Sequence, residues 1–204
     1  MPRLPELIRR FLYDQLNPDA MQPGSDVDLG ECPTLHGRFY IFHSAVAQFY
    51  APSNISGTSG MYSERIRATP SWFGGAARND CIFVSKDPDL EGMGGMHVTR
   101  VQFFFSFDHD QKKYPCALVW WFVVVGDAPD EDTGLWIVEP ELGGDGEQVQ
   151  SVIHVDSIVR GALLVPVYGD MFLPRHITFS NSLGAFSTYY VNKWADYHAH
   201  EIAF

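Results

Sequence analysis

The 204-residue chain predicts a mainly β fold: a curved antiparallel sheet or partly open barrel, with an N-terminal amphipathic helix and a C-terminal helix. Three observations predict it. Two apolar runs, Ala117–Val125 and Leu135–Val138, flank an acidic tip from Gly126 to Gly134. β-Branched and aromatic residues dominate both runs, and Gly, Pro, Asp and Thr fill the tip, the pattern of a β-hairpin with a long loop at the centre of a sheet. Aromatic residues make up 14% of the chain, enough for a sheet core or a binding face. Helical spacing of apolar residues is confined to the two ends.

The chain is long enough for one core plus a docked arm, and we divide it into an arm and linker over residues 1–37 and a β-rich domain over 38–204. With 46% hydrophobic and 19% charged residues it is not a disordered sequence. Its net charge of −11 argues against a protein that coats DNA by neutralising phosphates, though not against a small basic patch. Cys32, Cys81 and Cys116 are scattered and odd in number, as expected for reduced thiols, and they lack the paired spacing of a zinc site. No apolar leader or membrane-length run is present, so the expected location is intracellular, nucleus or cytoplasm, without membrane contact.

Taken in order, Leu4, Leu7, Ile8, Phe11, Leu12 and Leu16 recur at helical spacing, with Pro5 suited to the first turn and Pro18 to the stop. Residues 17–37 form a polar linker. Arg38–Tyr50 predicts one strand or two short ones, and Ala51–Gly60 a loop. Arg65, Arg67 and Arg78 are read as loop arginines around a turn at Trp72–Gly75. Asp80–Ser85 is a short strand, and Lys86–Gly95 a glycine-rich loop. His97–Phe107 pairs, through a turn at Asp108–Asp110, with Tyr114–Val125. Val149–Ile158 and Ala162–Tyr168 supply further strands or a strand and a helical turn. Leu183, Phe186, Tyr190, Trp194 and Tyr197 form a helical stripe that predicts a helix over Phe179–Ile202, capped by Ser180 or Ser182.

Longer blocks carry a resemblance: FYAPSNISGTS at Phe49–Ser59, ERIRATPSW at Glu64–Trp72, DPDLEGMGG at Asp87–Gly95, YPCALVWWF at Tyr114–Phe122, VIHVDSIVR at Val152–Arg160 and YVNKWADYHAHEIAF at Tyr190–Phe204. They resemble the region that follows the catalytic part of Plavaka-type transposases of the KDZ group in basidiomycete fungi. The resemblance implies a transposon-derived protein. It carries over no catalytic residues, because that family's nuclease acids lie upstream of this region. The order of the strands, with the acidic loop and the I-H-x-x-x-I-x-R stretch, is also similar to BAH domains, β-barrel modules that bind chromatin.

Four constellations are candidates for function, with no cofactor expected. Trp120, Trp121, Phe122 and Trp136, beside Asp130, Glu131 and Asp132, would offer an aromatic cage and acidic rim for a basic peptide such as a histone tail. The alternative is ordinary core packing and a solvated loop tip. Arg65, Arg67, Trp72 and Arg78, with Phe73, would contact nucleic-acid phosphate and stack a base, or merely pair with surplus carboxylates. His154 and Asp156 match the H-x-D of iron(II)/2-oxoglutarate oxygenases, which needs a third ligand. His198, His200 and Glu201 lack metalloprotease spacing and are read as polar residues at a helix end. The leading expectation is a non-enzymatic interaction module engaging chromatin, DNA or a partner protein. The rivals are a metal enzyme built on His154 and Asp156, and a remnant that only self-associates.

Overall fold

The computed structural model describes residues 3–52, 59–169, 172–173, 175–178, 181 and 184–204. Helix α1 spans Leu4–Leu16 with Pro5 in its first turn, as its periodicity predicts. Ile8, Phe11 and Leu12 are buried against Phe105, Phe107, Tyr114 and Cys116. Each such burial contributes roughly 1.5–3 kcal/mol, so the arm is docked on the body. Its opposite side holds the linker: Arg9 donates to the carbonyls of Leu29, Cys32 and Pro33, and Arg10 to those of Gly24, Ser25 and Val27. Gly24 lies so close to the Arg10 carbonyl that any Cβ there would collide with it.

The sheet is organised on two long strands, β6 (Met96–His109) and β7 (Lys112–Val125). They are joined by Asp110 and Gln111, both at positive φ, which gives the mirror-type turn that matches strand twist. Each long strand has two neighbours along its outer edge. Strand β6 pairs with β5 (Cys81–Ser85) near its start and β1 (Phe39–Phe42) near its end. Strand β7 pairs with β9 (Gln150–His154) and then β8 (Ile137–Pro140). The predicted hairpin with the acidic loop is therefore β7–β8, and β7 is central.

Closure comes from one bent segment. Strand β10 (Ile158–Ala162) pairs with β5, and after Leu163 the chain continues as β11 (Leu164–Pro166), which pairs with β12 (Tyr189–Val191). Strand β12 in turn pairs with β8, so the large sheet curls into a nearly closed barrel. Its interior holds Phe83, Val98, Phe122, Val138 and Tyr189. A smaller sheet of β2 (Ser44–Tyr50), β3 (Met61–Thr69) and β4 (Arg78–Asn79) covers the outer face through Ile66, Ala68, Val84, Val101 and Phe104.

A bulge at Gln102, between the paired residues Val101 and Phe103, sets which side chains share a face. It places Val98, Arg100, Phe103 and Phe105 on one face with Trp120, Phe122 and Leu118, and leaves Val101 and Phe104 on the other. Asn79 of β4 donates to the carbonyls of Val101 and Gln102, at 2.8 and 3.0 Å, and so fixes the small sheet to the bulge.

Two expectations are corrected. Arg65 and Arg67 lie on strand β3 and Arg78 on strand β4, not in a loop. The C-terminal helix, α2, spans only Tyr197–Ile202, because Tyr189–Val191 is drawn into the barrel as β12 and Asp196 caps α2 by accepting from the Ala199 N–H. The Ser180 and Ser182 caps and Leu183 of the expected stripe lie outside the described residues. Among the described residues no helix is long and apolar enough to cross a membrane.

Arg160 of β10 ties these parts together. It is 5% exposed and makes two 2.7 Å hydrogen bonds to Asp196. Glu64 of β3 lies 3.6 Å from it, Phe49 of β2 lies against the guanidinium at 4.8 Å, and His198 stacks on Phe49 at 4.6 Å. Glu64 also accepts from the Gly161 N–H. Burial opposes the charge on Arg160, but the Asp196 hydrogen bonds and the Glu64 charge outweigh it and raise its pKa. Removing one partner of such a buried pair costs about 3–5 kcal/mol. Asp196→Ala should therefore lower the unfolding free energy by about that amount, measured by urea denaturation; a loss of only the roughly 1 kcal/mol typical of a helix cap would contradict this assignment.

Candidate nucleic-acid interface

Strands β3 and β4 form a hairpin whose tip, residues 70–77, carries Trp72 and Phe73, with Arg65, Arg67 and Arg78 on the strands beside it. Arg67 and Arg65 share one face of β3 by the period of two along a strand. Arg78 stands opposite Thr69 and therefore on that same face. The Trp72 ring folds back over this face, with the Arg67 guanidinium 4.6 Å and the Arg78 guanidinium 4.9 Å from it. Asp80 holds the pair in place. Its carboxylate accepts from Arg78 Nε at 2.7 Å and from the Arg67 backbone N–H at 2.8 Å. Arg65 is exposed and donates to Ser44 Oγ. All four residues singled out from the sequence thus come together.

The turn itself is unusual. The Gly75 N–H donates to the Trp72 carbonyl, with Phe73 at φ 49° and Gly74 at φ 76° between them. A bulky aromatic residue is uncommon at positive φ. The Phe73 ring is also 91% exposed, touching Trp72 at 4.5 Å.

Beside the hairpin lies a cavity of about 850 Å³. Arg65, Trp72 and Arg78 form one side; Arg160, Leu163 and Leu164 form another; Arg100 and Trp120 come from the long strands. Arg100 lies 5.6 Å from the Phe122 ring and hydrogen-bonds Cys81 and Tyr189. Sequence reasoning did not single out Arg160. An arginine inside an apolar strand such as IVRGA is the signal that marks it, since its buried charge requires an acid nearby.

The proposed aromatic cage does not assemble. Phe122 is core, packed edge-on to Tyr189, and the cation nearest its face is the protein's own Arg100. Trp121 points to the other face, where its N–H donates to Ser151 Oγ at 2.6 Å. Trp136 packs on the barrel core and donates to the Phe204 carbonyl. Trp120 alone of the four lines the cavity. On the acidic tip, Asp130 is engaged by the Thr133 N–H and hydroxyl, which lower its pKa, while Glu131 and Asp132 are exposed.

His154 and Asp156 do meet, but as a turn cap: His154 Nδ1 accepts from the Asp156 N–H at 3.2 Å. Among the described residues no group of three His, Cys, Asp or Glu is placed to hold a metal ion. His198 sits in the Arg160 cluster and His200 lies 5.0 Å from Trp194, so they serve different surroundings. All three cysteines are free and buried, and burial pushes Cys116 up to about 12. Comparison with protein-family models, with curated proteins and with solved structures gives no match.

Burial and then the Arg160 charge lower the pKa of His198, against the opposing pull of Glu201 and Asp196. Burial and Lys86 lower that of His97. Both imidazoles are thus favoured neutral in the folded chain, while the unfolded chain titrates near the ordinary value of about 6.5. Their contribution is complete above that pH and is lost as pH falls through the folded-state values. The melting temperature should fall between about pH 7 and pH 5, and His198→Gln should flatten that fall in a thermal melt series. An unchanged slope in the variant would contradict the assignment.

Proposed function

We propose that the chain is a non-enzymatic binding module that contacts single-stranded nucleic acid through the tip of the β3–β4 hairpin, as an accessory part of a transposon-derived protein. The observation that carries this reading is the placement of two guanidiniums against Trp72 beside a fully presented Phe73 ring. Arginines reach phosphate oxygens and aromatic rings stack on bases, a combination tolerant of sequence. An exposed aromatic residue held at positive φ costs folding energy and has no packing return, which favours a role outside the fold. The transposon origin rests on the sequence resemblance alone.

Charge placement supports the same partner. Arg65, Arg67, Arg78, Arg100 and Arg160 cluster with Glu64, Asp80 and Asp196, leaving a local charge of +2 in a chain of net charge −11. The acidic remainder repels nucleic acid elsewhere and restricts contact to this patch.

The test is fluorescence anisotropy with a labelled single-stranded 12-nucleotide DNA or RNA, titrated over a salt series. Arg67→Ala and Arg78→Ala should each make the slope of log K against log salt shallower by about 0.7. Phe73→Gly should weaken binding by about 1–3 kcal/mol without lowering the melting temperature, because glycine relieves the positive φ. No oligonucleotide binding, or binding indifferent to all three substitutions, would overturn the reading.

A further inference from the structure

The 850 Å³ cavity beside the hairpin has a graded lining. Arg65, Ala77 and Leu163 are exposed and mark its mouth, whereas Cys81, Phe83 and Leu164 are buried and form an apolar floor. Trp120, half-buried, is the cross-strand neighbour of Arg100 on the same face of the β6–β7 pair. The volume lies within the roughly 300–1,000 Å³ typical of small-ligand sites. A cavity built in this way suits a ligand with one flat apolar part and one anionic part. A cationic ligand such as methylated lysine would meet Arg65, Arg78, Arg100 and Arg160, four arginines against the two carboxylates Glu64 and Asp80.

We propose that this cavity receives one nucleotide of the bound strand, its base against Trp120 over the apolar floor and its phosphate at the arginine-lined mouth. The proposal rests on the nucleic-acid reading above and extends it. Arg65, Trp72 and Arg78 belong both to the hairpin and to the cavity wall, so a strand held on the hairpin lies next to the cavity. A base enters such a site only when it is out of a duplex stack, which makes a strand end or an unpaired nucleotide the preferred ligand.

Leu163→Glu separates the cavity from the hairpin tip, and Ala77→Glu tests the rim that the two share. Leu163→Glu places a carboxylate at the mouth, on the wall away from the hairpin, at a position already 52% exposed. Ala77→Glu does the same at the exposed opposite rim. Phe73→Gly alters the tip, outside the cavity. The full chain is titrated with deoxyadenosine monophosphate, followed by tryptophan fluorescence, and with the 12-nucleotide strand, followed by anisotropy. The monophosphate should bind with quenching, weaken about tenfold or more in both glutamate variants through like-charge repulsion, and stay within about twofold of the parent in Phe73→Gly. If the strand binds and responds to Phe73→Gly, but the monophosphate fails to bind or ignores both glutamates, the cavity assignment is overturned and the hairpin reading stands. If neither ligand binds, both are overturned.

Discussion

The structure depends on the placement of one buried cation. Arg160 is the meeting point of the barrel, the small sheet and the C-terminal helix, and each supplies it with something different. The C-terminal segment gives the bidentate Asp196 carboxylate, β3 gives Glu64, and β2 gives the face of Phe49 with His198 stacked on it. A guanidinium that has left water needs fixed partners in good geometry, and moving any one of these elements would strip it of part of its compensation. The network therefore acts as a registration device: the small sheet has one seat on the barrel, and α2 has one seat beside it. Well-packed apolar residues of the same volume can match such a network in stability, but they do not impose that directionality.

A second set of polar contacts carries this placement out to the surface. The bulge at Gln102 frees carbonyls that Asn79 captures, and Asp80 then links backbone to side chain by accepting from both Arg67 and Arg78. The β3–β4 hairpin is thereby pinned at its base, while its tip projects Trp72 and Phe73. A rigid base with a presented aromatic tip loses little conformational entropy on binding, so its few contacts convert efficiently into affinity.

Much of the scaffold was legible where the pattern is local. The spacing of Leu4 to Leu16 predicts α1, and the twin apolar runs around Gly126–Gly134 predict the β7–β8 hairpin. Strand β3 was not legible as a strand because its inward face reads Tyr62, Glu64, Ile66, Ala68. The acid at the second position masks the alternation, and it is there to meet Arg160, nearly a hundred residues away in sequence. At the other end, Tyr190, Trp194 and Tyr197 fit a helical stripe, but Tyr189–Val191 completes a sheet whose other strands lie far along the chain. Tertiary pairing overrode local periodicity there. The basic patch was legible as a set of residue types. Its geometry, the cavity and the roles of Arg100 and Arg160 depend on long-range pairing that no local window contains.

Amide hydrogen exchange of the full chain, with and without a saturating single-stranded oligonucleotide, addresses the central claim most directly, because it locates contact along the backbone. The account predicts added protection confined to Arg65–Asp80 and to the Leu163 region across the cavity, with the β7–β8 tip unchanged. Protection concentrated on the acidic tip or on β1, with the β3–β4 hairpin exchanging as in the free chain, would contradict it.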